Sequence, residues 1–350
     1  MKFWFDILTP KQVNFFKPVV DELKKKHDVL CTTRSYREVK ELARIKNFDL
    51  LSVGKHGGES LLTKLRTSAN RVVRLIEIID EFKPDALVSL ASPEASRVAF
   101  GLGIKHIGFC DAPHAEAVCR LSIPLMSLLM HPAIIPRREF MKYGIERKRL
   151  VRYRAIDPAM WLRDGVKQIY RHGDLGLDPS RKVITFRFEE SQAAYLRAVD
   201  KSISFKMLKS LVNTFDHNIV ILSRYADQIE VLKREFASKA TVMERVIDGT
   251  SLLMLSDVFI GSGGTMNWEC ALMGIPNVSY TQMKYHVNEY LIKKGLIVRC
   301  RDASLLIKLV KKMLFDDSYR DNLKQKSKNE LAGMEDIKKK TIDILEYKVN

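Results

Sequence analysis

The stretch from Asp257 to Tyr280, DVFIGSGGTMNWECALMGIPNVSY, constrains the fold more than any other part of the chain. It reads as strand, glycine turn, helix, Gly-Ile-Pro turn and second strand. Asp257-Val-Phe-Ile260 is a short apolar run of the kind buried on both faces of a parallel sheet. Gly261-Ser262-Gly263-Gly264 ends it, and Gly263 and Gly264 lack the Cβ that would oppose positive φ or the close approach of a ligand. Thr265 or Ser262 is placed to cap a helix starting at about Met266. The free amides and positive dipole end of that helix would face a phosphate at the turn. Glu269, one turn into the helix, is positioned to accept hydrogen bonds from sugar hydroxyls beside that phosphate. Such turns also occur without any ligand, but Glu269 and the Gly274-Ile-Pro276 stop together favour the ligand reading.

Strands and helices alternate on both sides of this stretch. Strand-like runs are Lys2–Asp6, Asp28–Thr33, Leu50–Val53, Ala86–Leu90 and His106–Cys110, with a sixth at Ala133–Ile135 after a helix over 115–130. Helical spacing marks 11–26, 36–46 and 60–82, the last with Leu61, Leu65, Val72, Leu75, Ile76 and Ile79 on one stripe. Alternation at this pitch means α/β architecture with parallel, doubly wound sheets. The pattern breaks where turn signals crowd together: Asp157-Pro, Asp164-Gly, His172-Gly-Asp and Asp178-Pro-Ser. This divides the chain into an N-terminal domain over 1–155, a linker over 156–181 and a C-terminal domain over 182–350. The second domain's strands begin at Val183–Phe186 and continue with Ile219–Leu222, Thr241–Met243, the Ser262 turn, Asn277–Tyr280 and Leu296–Val298. The final helices can cross back to the first domain. A length of 350 residues agrees with two domains.

These motifs resemble those of known families. Ser262-Gly263-Gly264, Glu269 and Gly274-Ile-Pro276 resemble the nucleotide-sugar motif of GT-B-type enzymes, notably UDP-N-acetylglucosamine 2-epimerase and the N-acetylglucosaminyltransferase that completes the lipid-linked peptidoglycan precursor. The whole chain is most similar to an allied, largely archaeal family catalogued as domain of unknown function 354. The marks of that family are Phe5-Asp6-Ile-Leu-Thr9-Pro10, Gly54-Lys-His56-Gly57-Gly58, Asp111-Ala-Pro113-His114-Ala115 and the Ser262 turn. The resemblance implies two Rossmann-like domains facing across a cleft, with a nucleotide sugar, UDP-linked, as substrate and no cofactor. By the same resemblance Ile247, in Arg245-Val-Ile-Asp248, takes the place of a residue that holds uracil through its main chain. Gln282, His286 and Asn288 match polar residues set near the donor sugar.

Strand ends supply the remaining candidates, because ligands of doubly wound sheets bind beyond the carboxyl ends of the strands. Arg187 and Arg224 follow the first two strands of the second domain, and either guanidinium can pair with a diphosphate or lie in solvent. In the first domain Asp6, Ser92-Pro-Glu94 and Asp111 end strands on one edge. Asp111 and His114, three residues apart at a strand-to-helix turn, make the best acid–base pair for an acceptor hydroxyl. Lys55-His56-Gly57-Gly58 combines two glycines with a basic pair and suits a loop that closes on an acceptor or another anion. No Asp-x-Asp motif and no metal-ligand spacing is visible. The five cysteines are scattered without a CxxC pair, which points to neither a disulfide framework nor a zinc site.

Two further features bear on the reaction and on partners. The epimerase carries His-Arg-Arg-Glu-Asn after its first C-terminal strand, where this chain has Phe186-Arg-Phe-Glu-Glu-Ser191, without the histidine. Glu269 lies seven residues after Ser262, the transferase spacing rather than the epimerase spacing of six. Glycosyl transfer to a glycan or lipid-linked acceptor is therefore expected ahead of epimerisation, with a non-catalytic sugar-nucleotide-binding protein as the rival. Net charge is +17, which favours anionic partners. Between Arg137 and Arg154 eight Lys/Arg face only Glu139 and Glu146, just after the apolar Leu121–Met130. That pairing suits either a surface resting on an anionic membrane or a core helix followed by a solvated hairpin. No aromatic-basic RNA motif, zinc finger or helix-turn-helix accompanies the charge, so nucleic acid is not expected. The Met1-Lys-Phe-Trp-Phe start lacks a signal-peptide pattern and no apolar run approaches a membrane span. The expected location is cytoplasmic, with peripheral contact at the inner membrane face as an option.

Overall fold

The computed structural model describes residues 1–58, 60–188, 202–223 and 226–348. These form two compact units, one from Met1 to Trp161 together with the segment from Met334 onward, the other from Leu162 to Gly333. The last helix thus belongs to the first unit, and residues 162–181 belong to the second.

The first unit holds a seven-stranded sheet of β1 (Lys2–Asp6), β2 (Asp28–Ser35), β3 (Leu51–Lys55), β4 (Ala86–Ser89), β5 (Lys105–Phe109), β6 (Leu128–Pro132) and β7 (Leu150–Tyr153). Their order is β3-β2-β1-β4-β5-β6-β7, and every pairing is parallel. Helices α1 (Pro10–Leu23), α2 (Arg37–Ile45), α3 (Leu61–Phe82), α4 (Pro93–Gly101) and α5 (Glu116–Ser122) make the crossovers, followed by short α6 (Arg138–Met141) and α7 (Ala159–Leu162). Two expectations fail here. The sixth strand is Leu128–Pro132 rather than 133–135, inside the stretch read as helix. Pro124, which has no N–H to donate, sits in a 3₁₀ turn at Ile123–Leu125 that ends α5 early. Ile123, Met126, Leu129 and Met130 of the apolar run are wholly buried and belong to the core, while Leu121 is exposed. The basic run after it also hides β7, whose Leu150 and Tyr153 point inward.

The second unit holds β8 (Val183–Arg187), β9 (Asn218–Leu222), β10 (Thr241–Met243), β11 (Val258–Gly261), β12 (Asn277–Ser279) and β13 (Val298–Arg299) in the parallel order β10-β9-β8-β11-β12-β13. Between them run α8 (Ser202–Thr214), α9 (Ala226–Phe236), α10 (Gly249–Leu255), α11 (Thr265–Met273) and α12 (His286–Lys293), and then α13 (Ala303–Phe315) and α14 (Asp317–Ala332). The closing helix α15 (Ile337–Lys348) counts with the first unit. Each unit is therefore doubly wound, and each strand order reverses once: between β1 and β4, and between β8 and β11. Those are the two crevices in which such folds bind ligands. Among the described residues no helix is long and apolar enough to cross a membrane.

The crevice of the first unit is filled by its own side chains. Arg71 of α3 is 1% exposed and grips the fully buried Asp6 with both ends of its fork, Nη1–Oδ2 3.1 Å and Nη2–Oδ1 2.5 Å. The hydroxyls of Thr32 and Ser92 each donate to Asp6 at 2.6 Å, and Arg71 Nε donates to the Val53 carbonyl at 2.9 Å. Trp4 Nε1 donates to Thr32 Oγ1 at 2.7 Å, which extends the network into the core. Asp6 is consequently a structural anion and not the strand-end base that its position suggests. Removing one partner of a buried pair leaves the other charged and unpaired. Arg71→Met should cost about 3–5 kcal/mol in urea unfolding, and adding Asp6→Leu should recover much of the loss.

Candidate functional site

The crevice of the second unit is built differently. β11 ends in Gly261, and the chain turns through Ser262 and Gly263 into α11. Gly263 has φ 78°, and a Cβ there would lie 2.7 Å from Ser279 Oγ, 2.8 Å from Thr281 Cγ2 and 3.2 Å from Asn288 Cγ. Both the conformation and the space demand glycine at this position. Its N–H donates to Asn267 Oδ1 at 2.8 Å. The Asn267 amide in turn donates to Asn277 Oδ1 at 3.2 Å and to the Val278 carbonyl at 3.0 Å. Buried amide side chains thus fasten the turn from beneath.

Gly264 is the exposed N-cap of α11, and a Cβ added to it would meet nothing within 4 Å. Its φ of −91° is open to any residue, so neither strain nor packing within the chain requires glycine. The helix starts at Thr265 and has no side-chain cap, against the expectation that Thr265 or Ser262 would supply one. An uncapped first turn keeps its amide donors and positive dipole end directed outward.

Around the turn, the sequence-derived candidates fall into distinct places. Glu269 is 3% exposed, and its Oε1 accepts from Thr250 Oγ1 at 2.6 Å. Thr250 opens α10, which Asp248 caps through Ser251 N at 2.8 Å, so Glu269 joins the loop carrying Ile247 to the glycine turn. Ile247 is half-buried and packs against the apolar cluster that includes Leu175, Leu177, Leu222 and Leu252. Asn288 is wholly buried below Gly263, with Nδ2 donating to Ser279 Oγ at 3.3 Å. Its Oδ1 meets no partner among the described residues. Gln282 is exposed, and His286 is the half-buried first residue of α12. Arg187 ends β8 half-buried, and its carbonyl accepts from Tyr280 Oη at 2.8 Å. Arg224, and Glu189 to Ser191 of the segment compared with the epimerase, lie outside the described residues.

In the first unit Asp111 follows β5 and is 7% exposed. Its Oδ2 is 2.5 Å from Lys11 Nζ, which also lies 2.7 Å from Asp157 Oδ2. Tyr153 Oη donates to Asp157 Oδ1 at 2.6 Å. Burial alone would lower the Lys11 ammonium, but the two carboxylates outweigh it and hold the group above its ordinary range. Burial pushes Asp157 up, with Lys11 opposing. His114 is half-buried in the turn after Asp111, and Tyr143 Oη holds that turn by donating to the Pro113 carbonyl at 2.6 Å. Lys55 ends β3 exposed, and in the loop after it His56 stacks on Tyr36 at 4.9 Å and accepts from Gly58 N. A Cβ on Gly57 would lie 2.6 Å from Lys64 Cα, so close packing on α3 accounts for that glycine. Among the described residues no group of three or more His, Cys, Asp or Glu is arranged to hold a metal ion.

Sequence reasoning missed Lys11, Arg71, Asp157 and Asn267. Lys11 stands directly after the Thr9-Pro10 mark, and Asp157 reads as a turn former because a proline follows it. Arg71 and Asn267 are single polar residues within helices, a pattern without a distinguishing signal.

Comparison with known proteins agrees with this geometry. The profile of the family described as "Protein of unknown function (DUF354)" matches residues 1–345. An uncharacterized protein of Methanocaldococcus jannaschii is 31% identical over 314 residues, covering 88% of this chain and 90% of its own. Among solved structures, the UDP-GlcNAc 2-epimerase of Neisseria meningitidis bound to UDP-GlcNAc superposes with a TM-score of 0.73 at 14% identity, covering 99% of each chain. The MnaA–UDP complex of S. aureus gives 0.76 at 12% identity, covering 100% of this chain and 97% of its own. The spinosyn forosaminyltransferase SpnP gives 0.67 at 15% identity, covering 100% and 99%. At these identities the likeness establishes the fold, which is of the GT-B type with two Rossmann-like units. That fold is shared by epimerases and glycosyltransferases.

The Lys11 cluster carries its own pH signature. In Lys11→Met, Asp157, whose carboxyl burial already pushes up, loses the cation that opposes that rise. A carboxyl raised in this way favours the fold when protonated and disfavours it as pH climbs through the folded value. The variant should lose about 3 kcal/mol near neutral pH, with the deficit shrinking as pH falls toward about 4. Denaturant titrations across that range check it.

Proposed function

The chain belongs to the family described as "Protein of unknown function (DUF354)", and we propose that it is a nucleotide-sugar-dependent enzyme, a glycosyltransferase using a UDP-linked donor. The observation that carries this reading is Gly264: a glycine that the protein's own packing does not require, at the uncapped start of α11 beside the crevice between β8 and β11. A diphosphate fits such a place, since it can accept from the exposed amides where a side chain would intrude. Arg187, and Arg224 in the role expected of it, would add positive charge as the nucleoside diphosphate leaves, in place of a metal. Glu269 would hold the ribose and the backbone near Ile247 the base, two loops that the Thr250 contact couples. Gln282 and Asn288 would serve the sugar. Solved structures of like fold include an epimerase bound to UDP-GlcNAc, an MnaA–UDP complex and a spinosyn forosaminyltransferase.

Transfer needs a base for the acceptor hydroxyl, and Asp111 with His114 is the assignment we make. Lys11 Nζ, 2.5 Å from Asp111 Oδ2, fixes the position of that carboxylate at the strand end. The acceptor is read as a glycan or a lipid-linked molecule, with Lys55 to Gly58 as a loop that could meet its anionic part. Epimerisation is the second reading, favoured by the epimerases among the solved structures of like fold. The Phe186–Phe188 segment lacks the histidine of that enzyme's motif.

Calorimetry with UDP, UDP-N-acetylglucosamine and GDP-sugars tests the central claim, and no binding at about millimolar ligand would end it. Gly264→Val should weaken UDP binding at least about ten-fold while leaving the melting temperature within about 2 °C, because the added atoms meet only solvent or ligand. Incubation with UDP-N-acetylglucosamine alone separates the reactions. Conversion to the manno epimer, or release of UDP without an acceptor, would replace transfer by epimerisation. Once an acceptor is found, Asp111→Asn should lower kcat about 100-fold or more with donor affinity nearly unchanged.

A further inference from the structure

Helix α3 buries Arg71, Leu75 and Ile79 on one face and carries a further, exposed apolar stripe about 120° around from it. Leu62, Leu65, Val73 and Ile76 are 57%, 69%, 59% and 42% exposed, and Ala69 between them is exposed as well. Their spacing of three, four, four and three residues places all five within about 80° of arc at 100° per residue, a stripe about 21 Å long. A soluble helix facing only water has no reason to keep such a stripe, and stripes of this spacing are the seam along which helices pair.

Charge indicates what pairs with it. Apart from the buried Arg71, the cations along α3 are Lys64, Arg66 and Arg74, and the anions Glu77, Asp80 and Glu81 follow them. Arg66 and Glu77 lie on the same flank of the stripe, about 20° apart around the helix. Neither has an ion-pair partner within the chain among the described residues. If two copies of α3 cross antiparallel about a two-fold axis, like flanks face each other and the ends are exchanged. Arg66 of one copy then opposes Glu77 of the other, twice by symmetry, and Ala69 lets the helices approach near the crossing. A lipid surface fits less well, because Asp80 lies in line with the stripe and Glu77 and Glu81 flank it.

We propose that α3 is a self-association surface through which two copies of this chain form a two-fold dimer with antiparallel α3 helices. The site described above plays no part in the argument. Sedimentation velocity of the full chain from about 1 to 100 µM reads the outcome, since a dimer held by this stripe dissociates on dilution. The parent chain should be dimeric over the upper part of that range, and Leu65→Glu should be monomeric with unchanged circular dichroism and melting. Arg66→Glu should weaken the dimer at least about ten-fold, because each two-fold contact is lost twice and replaced by repulsion. The exchange Arg66→Glu with Glu77→Arg should restore it. A monomeric parent chain, a dimer indifferent to Leu65→Glu, or a failed rescue by the exchange would each overturn the proposal. So would a monomer that binds phosphatidylserine vesicles and loses that binding in Leu65→Glu.

Discussion

The first unit is organised around a single buried ion pair. Asp6 ends β1 where the strand order reverses, and Arg71 reaches it from α3 across 65 residues of sequence. Taking both charges out of water is costly, and the cost is tolerable only because nearly every valence is met. The guanidinium fork takes both carboxylate oxygens, Thr32 and Ser92 add a hydroxyl each, and the remaining Nε goes to the Val53 carbonyl. Gly54 belongs to the same arrangement: at φ 76°, a Cβ on it would press on Arg71 Cγ at 3.0 Å. One interaction therefore fixes how β1, β2, β3, α3 and the start of α4 meet.

It also distinguishes the two sheets. Both reverse their strand order once, and physical expectation gives each a ligand crevice at that point. In the first unit, arginine, aspartate and two hydroxyls occupy the position. In the second, the equivalent position carries glycines, an uncapped helix start and a backbone held from below by Asn267. The polar side chains of the first unit have moved one step along the sheet, to Asp111 after β5, where Lys11 joins it to Asp157. Topology alone makes the units equivalent; the side chains at the reversal make them different.

What could be read from sequence follows the same physics. Most strands of the second unit were legible because each is a short apolar run punctuated by glycine, proline or charge; the last, expected at Leu296–Val298, is only Val298–Arg299. The strand at Leu128–Pro132 was not, since its apolar residues continue a helical run and only Pro124 marks the break. Leu150–Tyr153 was obscured by arginines that an edge strand tolerates on its open side. Gly263 was legible because glycine has few uses at a strand end. Lys11 was not, because a lysine at a helix start is ordinarily solvated, and the carboxylates that bury it arrive 100 and 146 residues later.

Adjacent glycines at 263 and 264 carry the functional argument further than the fold does. If Gly264 existed for the protein's own sake, it would show a positive φ or a neighbour in the way of a Cβ, as Gly263 shows both. It shows neither. Glycine is a common N-cap, and a bare backbone at an exposed, uncapped helix start also leaves room for an anion to come close, which is the place we propose for the diphosphate. Glu269 is buried one turn below and tied to α10 through Thr250, so one hydrogen bond links the helix after the Gly264 turn to the helix after the Ile247 loop. A nucleoside diphosphate spans a base and its phosphates, and two linked elements are suited to holding both ends at once. The chemistry at the far end of such a ligand would then depend on the few polar groups around Gly264, a choice that a fold shared by epimerases and glycosyltransferases leaves open.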